Sequence, residues 1–83
     1  MRPLLVLCAL LLTSAAAQAS CRDEVGAAKA KVYVQHCRDV SPATRPPCNA
    51  DNACALILAE IRRGCAFLKA DAPAYCRQYT GSR

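Results

Sequence analysis

The chain is short of nearly everything that chemistry needs. It has one histidine among its 83 residues, and its three glycines, Gly26, Gly64 and Gly81, stand alone. Isolated glycines exclude a phosphate-cradling loop. There is no C-x-x-C, so neither a dithiol redox centre nor covalent haem attachment has its motif. The closest cysteines downstream of residue 20, Cys48 and Cys54, are too far apart for the usual zinc-ligand pair. Ser20, Ser41 and Ser82 lie in no nucleophile elbow, and the carboxylates are scattered rather than paired. Aromatic residues make up 5%, too few to interleave with basic side chains for nucleic-acid binding. No cofactor is implied.

A long apolar segment is also missing beyond residue 19. Before it, Arg2 supplies a positive start, Leu4 to Leu12 form an uncharged apolar run, and Ala17-Gln18-Ala19 gives an A-x-A end. That pattern reads as a secretory signal peptide over residues 1–19, cut after Ala19. The run is far short of the roughly 20 residues that cross a bilayer, so no transmembrane helix is expected in the mature chain. A lipid-anchored Cys21 is disfavoured, because Gln18 stands where an aliphatic residue belongs and five cysteines would remain.

What is present is cysteine. Residues 20–83 form a single small domain holding Cys21, Cys37, Cys48, Cys54, Cys65 and Cys76, while Cys8 leaves with the signal. An even count in a short exported chain reads as a disulfide framework in a secreted or periplasmic protein. A domain of this size buries only about 60% of its unfolded surface, so cross-links must supply what the core cannot. Each adds roughly 2–4 kcal/mol.

Alanine is abundant and nothing alternates with period two, so the fold class is all-α. We expect a small disulfide-stabilised bundle of two longer helices and one short helix, with a proline-rich connecting arm. The first helix runs from about Cys21 to Val40, capped by Ser20 and ended by Ser41-Pro42. It carries two weak apolar stripes, Cys21, Val25, Ala28, Val32 and Ala27, Ala30, Val34, Cys37. Pro42, Pro46 and Pro47 keep the arm to Asn52 out of a helix. Asn49, Asp51 or Asn52 caps the second helix, about Asn52 to Ala70, whose stripe is Cys54, Leu58, Ile61, Cys65 and Leu68 with Ile57 beside it. Asp71 caps a short third helix that ends near Gly81.

Cys54 and Cys65 share a face but stand about 16 Å apart along one helix, too far to bond. If the two long helices form an antiparallel hairpin, three cysteines collect at each end. The expected pairing is then Cys37–Cys54, Cys21 with Cys65 or Cys76, and Cys48 with the one left over; two free thiols are the alternative. The eleven-residue steps superficially resemble the twin C-x10-C spacing of coiled-coil-helix proteins. Pro42, Pro46, Pro47 and Pro73 interrupt two of those intervals, so nothing is carried over from that family.

Beyond the signal the chain has ten Lys/Arg against six Asp/Glu, which favours anionic partners, although no block of like charge appears. Leu56, Arg63 and Phe67 lie opposite the main stripe of the second helix, and Tyr75 and Tyr79 flank Arg77 on the third. The third helix or the arm is expected to cover Leu56 and Phe67 as ordinary core. Left open, these six residues with Arg62 and Lys69 would form an aromatic and basic patch facing a partner or an anionic membrane surface. His36 could act as a base oriented by Asp39, but a histidine in the last turn of a helix needs no catalytic reason. The leading expectation is a non-catalytic exported binding or inhibitor module acting on a protein or anionic envelope component. A cationic membrane- or lipid-binding peptide follows it, and a small secreted enzyme comes last.

Overall fold

The computed structural model describes residues 19–41 and 47–81. Residues 1–18 of the expected signal peptide at 1–19, including Cys8, lie outside them, as do Pro42 and Pro46 of the arm. Among the described residues there are four α-helices and no strand. They are α1 (Cys21–Val25), α2 (Ala27–Val40), α3 (Cys54–Leu68) and α4 (Cys76–Thr80), with a 3-10 turn at Lys69–Asp71. None is long and apolar enough to cross a membrane.

The first expected helix is therefore two helices, and Gly26 is the reason. It stands at φ 94°, ψ 155°, closing α1 and opening α2. Such a backbone is open to glycine and strained for other residues. The start of α1 is as anticipated: the Asp23 N–H donates to Ser20 Oγ at 3.1 Å. α2 also stops as expected, at Val40, with Ser41 extended.

Breaking the chain at Gly26 lets α1 fold over the start of α3. The N–H groups of Cys21 and Arg22 donate to the carbonyls of Asn52 and Ala50, at 2.7 and 3.2 Å. In return Glu24 Oε2 accepts from the first N–H of α3, on Cys54, at 3.2 Å. None of Asn49, Asp51 and Asn52 caps α3; Ala53 occupies that position with no side-chain bond, and Asn49 Oδ1 instead accepts from the Asp51 N–H. Each helix start here supplies what the other lacks.

The far end of α2 meets the far half of α3. Ser41 Oγ donates to Glu60 Oε2, and Val40 packs directly on Gly64. α2 and α3 thus run in the same direction, so the antiparallel hairpin is not formed. From Pro47 the chain runs back along α2 to the start of α3, with Cys48 tied to Cys37.

Reversal of the connection and the fold-back of α1 overturn the expected cysteine pairing. The bonds are Cys21–Cys54, Cys37–Cys48 and Cys65–Cys76, with Cα separations of 4.3, 5.5 and 5.8 Å. Two of them close eleven-residue steps, and both of those steps contain prolines. The helical step, Cys54 to Cys65, stays unbonded as its length requires. Three disulfides point to an oxidising environment.

The core is small: the six cysteines with Ala30, Val40, Ile57 and Ile61. The stripe expected on α3 faces it, with Leu58 and Leu68 partly covered. On α2 only the second stripe serves, because Val32 of the first is 43% exposed. Asp71 lies in the 3-10 turn rather than capping α4, which begins at Cys76 after the turn from Pro73, while Gly81 ends it in the left-handed region. α4 then runs back along α2, stapled to α3 by Cys65–Cys76.

Candidate functional site

The structure separates the six expected surface residues into three places. Leu56, Arg63 and Phe67 fall within about 40° of one another on the outer side of α3, by its 100° rotation per residue. Ala59 and Ala66 lie beside them, then Arg62. Neither α4 nor the described part of the arm covers this side: Leu56 is 55% exposed and Phe67 77%. The expectation that they are ordinary core is not met, because α4 packs on the opposite side of α3, where Cys65–Cys76 holds it and its tyrosines reach α2.

That outer side is held at both ends. Cys54 fixes the start of α3 to α1, and Cys65 fixes its last third to α4. At its rim, Arg63 donates from Nε to Glu60 Oε1 at 3.1 Å and from Nη2 to Oε2 at 2.7 Å. Glu60 also accepts from Ser41, and these bonds with Arg63 hold its carboxyl below the usual range. A buried glutamate next to an arginine and a serine was not anticipated. The available signal was Gly64, one turn on, which leaves room for the end of α2 beside Glu60.

Tyr75 and Tyr79 are turned away from this side and onto α2. The Tyr75 ring stacks on His36 with centroids 3.6 Å apart and planes 9° from parallel. Tyr79 meets both His36 and Tyr33 edge-on, and its hydroxyl lies 2.7 Å from His36 Nδ1. The Tyr75 hydroxyl donates to Asp39 Oδ2 at 3.0 Å. All three tyrosines and the only histidine of the chain thus gather where α4 crosses α2. Burial first, and the bonded Asp39 second, push the Tyr75 phenol up to about 12; burial also raises Tyr79. Tyr75 takes the Asp39 carboxylate and Tyr79 takes Nδ1, so a His36–Asp39 acid–base pair is not assembled. Arg77 lines a separate shallow depression with Ala66 and Lys69.

A second concavity, about 430 Å³, runs between α2 and the segment around Asn49. Lys31 and Arg38 edge it from α2, with Ala27 and Val34 beside them, Ala50 across, and Arg22 at one end. Arg22 is engaged with Asp51 at 2.7 Å. Sequence reading missed this groove, since it exists only because the segment around Asn49 lies along α2. Among the described residues no three His, Cys, Asp or Glu side chains gather as a metal site, and all six described cysteines are in disulfides. The chain matches no known protein family, no curated protein sequence and no solved structure.

Proposed function

We propose that residues 20–83 are an exported, non-catalytic binding module, released from a signal peptide at 1–19, that docks a protein of the secreted or periplasmic compartment through the outer side of α3. One observation carries this reading. Leu56 and Phe67 stay exposed on a helix that disulfides clamp at both ends. Exposing a phenylalanine and a leucine on one stripe costs apolar burial, which a domain this small can ill spare. A helix already fixed in place loses little freedom on docking, so more of its contact energy appears as affinity. Arg63 is neutralised by Glu60 beside Phe67, and Arg62 stands about 120° from Leu56 round the helix, so the stripe itself suits a mainly apolar contact.

The test is a photo-crosslinking residue placed at position 56 or 67 and, as a control, at the exposed Gln35 on α2. In an extract of the exported compartment, positions 56 and 67 should yield the same discrete protein adduct and position 35 none. Equal yields from all three positions would defeat the reading. So would hydrolase activity that disappears in a His36→Ala variant. The same exposed residues with Arg62 and Lys69 also suit an anionic lipid surface. Co-sedimentation with phosphatidylglycerol vesicles, abolished in a Leu56→Ser/Phe67→Ser variant, would put that second reading first.

A further inference from the structure

The groove along α2 has a chemistry of its own. Lys31 and Arg38 are seven residues apart, so they project in nearly the same direction with about 10.5 Å of helix rise between them. Ala27 and Val34 are also seven apart and lie some 40° to one side of them. The groove therefore has a cationic rail beside an apolar one, and the Ala50 segment forms its opposite wall. Among the described residues no ion pair holds Lys31 or Arg38, and the nearby Asp51 is neutralised by Arg22. Two cations facing one cleft with no carboxylate between them leave a local excess of positive charge that focuses anions.

We infer that this groove takes an extended peptide segment of a partner protein in which acidic and apolar residues alternate. In an extended chain successive side chains point to opposite sides and repeat about every 6.8 Å. Carboxylates on one side can thus reach Lys31 and Arg38, whose long side chains absorb the difference in spacing. Apolar side chains on the other side lie on Ala27, Val34 and Ala50. The apolar rail is what favours a peptide over a bare polyanion, which would leave it uncovered. The inference rests on the binding-module reading and adds a second contact, separate in residues from the α3 stripe.

The experiment titrates the oxidised domain with a fluorescent blocked peptide of about eight residues alternating Glu and Val. It is repeated with the Gln/Val version, with polyphosphate, and with phosphatidylglycerol vesicles. Binding of the Glu/Val peptide should weaken at least tenfold in Lys31→Glu/Arg38→Glu, fall several-fold in Val34→Ser, and be lost with the Gln/Val peptide. Leu56→Ser/Phe67→Ser should leave it unchanged. Circular dichroism and the intact disulfide mass confirm that each variant is folded. The inference is overturned if the Glu/Val peptide does not bind, if the charge-reversed variant binds it equally, or if Gln/Val does as well. Polyphosphate or vesicles binding through Lys31 and Arg38 where the peptide does not would make the groove a simple anion site. Loss of peptide binding in the α3 variant would move the contact to α3. Failure here with a discrete crosslink at position 67 leaves the α3 reading standing.

Discussion

Replacing Gly64 by alanine should destabilise the protein, although by helix propensity alone it should help. Gly64 lies in the interior of α3, where glycine costs about 1 kcal/mol relative to alanine. A methyl group there would fall on the Val40 carbonyl oxygen and within 2.8 Å of the Val40 carbonyl carbon and Cγ2. To restore ordinary contact, the end of α2 would have to retreat by more than half an ångström. It is poorly placed to do so. Ser41 is bonded to the buried Glu60, and Cys37, one turn back, is covalently tied to Cys48. Overpacking of this kind costs about 1–3 kcal/mol, and a backbone obstacle belongs at the upper end. Net of the propensity gain, Gly64→Ala should lose about 2 kcal/mol, lowering Tm by about 10 °C for a domain of this size. Thermal unfolding of the oxidised protein by circular dichroism reads it, with Ala66→Gly on the outer side as a control losing about 1 kcal/mol. A neutral or raised Tm for Gly64→Ala would mean that α2 does not end against α3, and the parallel arrangement would fall.

Glu60 should make the fold acid-sensitive. Its native pKa is depressed by Ser41 and Arg63, so its contribution is present above the unfolded carboxyl value of about 4.3 and is lost as pH falls through the lower native value. Urea midpoints between pH 6 and pH 2 should show this fall, and Glu60→Gln should flatten it. At the alkaline end the sign reverses: Tyr75 holds its proton to about 12, so stability should decline from the ordinary phenol value near 10 up to 12. Ultraviolet difference titration should find one tyrosine ionising near 12, and Asp39→Asn should bring it down. Removing Cys21–Cys54, which closes a 33-residue separation, should cost about 3.7 kcal/mol on loop entropy. Removing Cys37–Cys48 or Cys65–Cys76, each closing eleven, should cost about 2.8 kcal/mol. Paired Cys→Ala variants compared by denaturant unfolding give the order.

The core side of α3 was legible because Cys54, Ile57, Ile61 and Cys65 repeat at helical spacing, and periodicity survives any tertiary arrangement. The caps that use neighbours in sequence, such as Ser20 on Asp23, were legible for the same reason. Gly26 was harder: a lone glycine inside a helical pattern is often tolerated, and only its left-handed φ reveals a break. That one residue sends Cys21 to Cys54, and the cysteine map follows from it. The α3 cap could not be read at all, because Glu24 reaches it across about thirty residues of chain. Leu56 and Phe67 were correctly placed opposite the core stripe. Whether anything covered them depended on which side of α3 takes α4, and that is set by the Cys65–Cys76 bond together with the Tyr75 and Tyr79 contacts to His36.

The disulfide map is the most direct test, because the fold-back of α1, the returning arm and the clamped α3 all require it. Digestion of the unreduced protein with trypsin and Asp-N separates Cys48 from Cys54 by cleavage before Asp51, and mass spectrometry then reads the linked peptides. The account predicts Cys21–Cys54, Cys37–Cys48 and Cys65–Cys76, with no free thiol among the six. A Cys37–Cys54 link, or Cys21 joined to Cys65 or Cys76, would restore the antiparallel hairpin and contradict it.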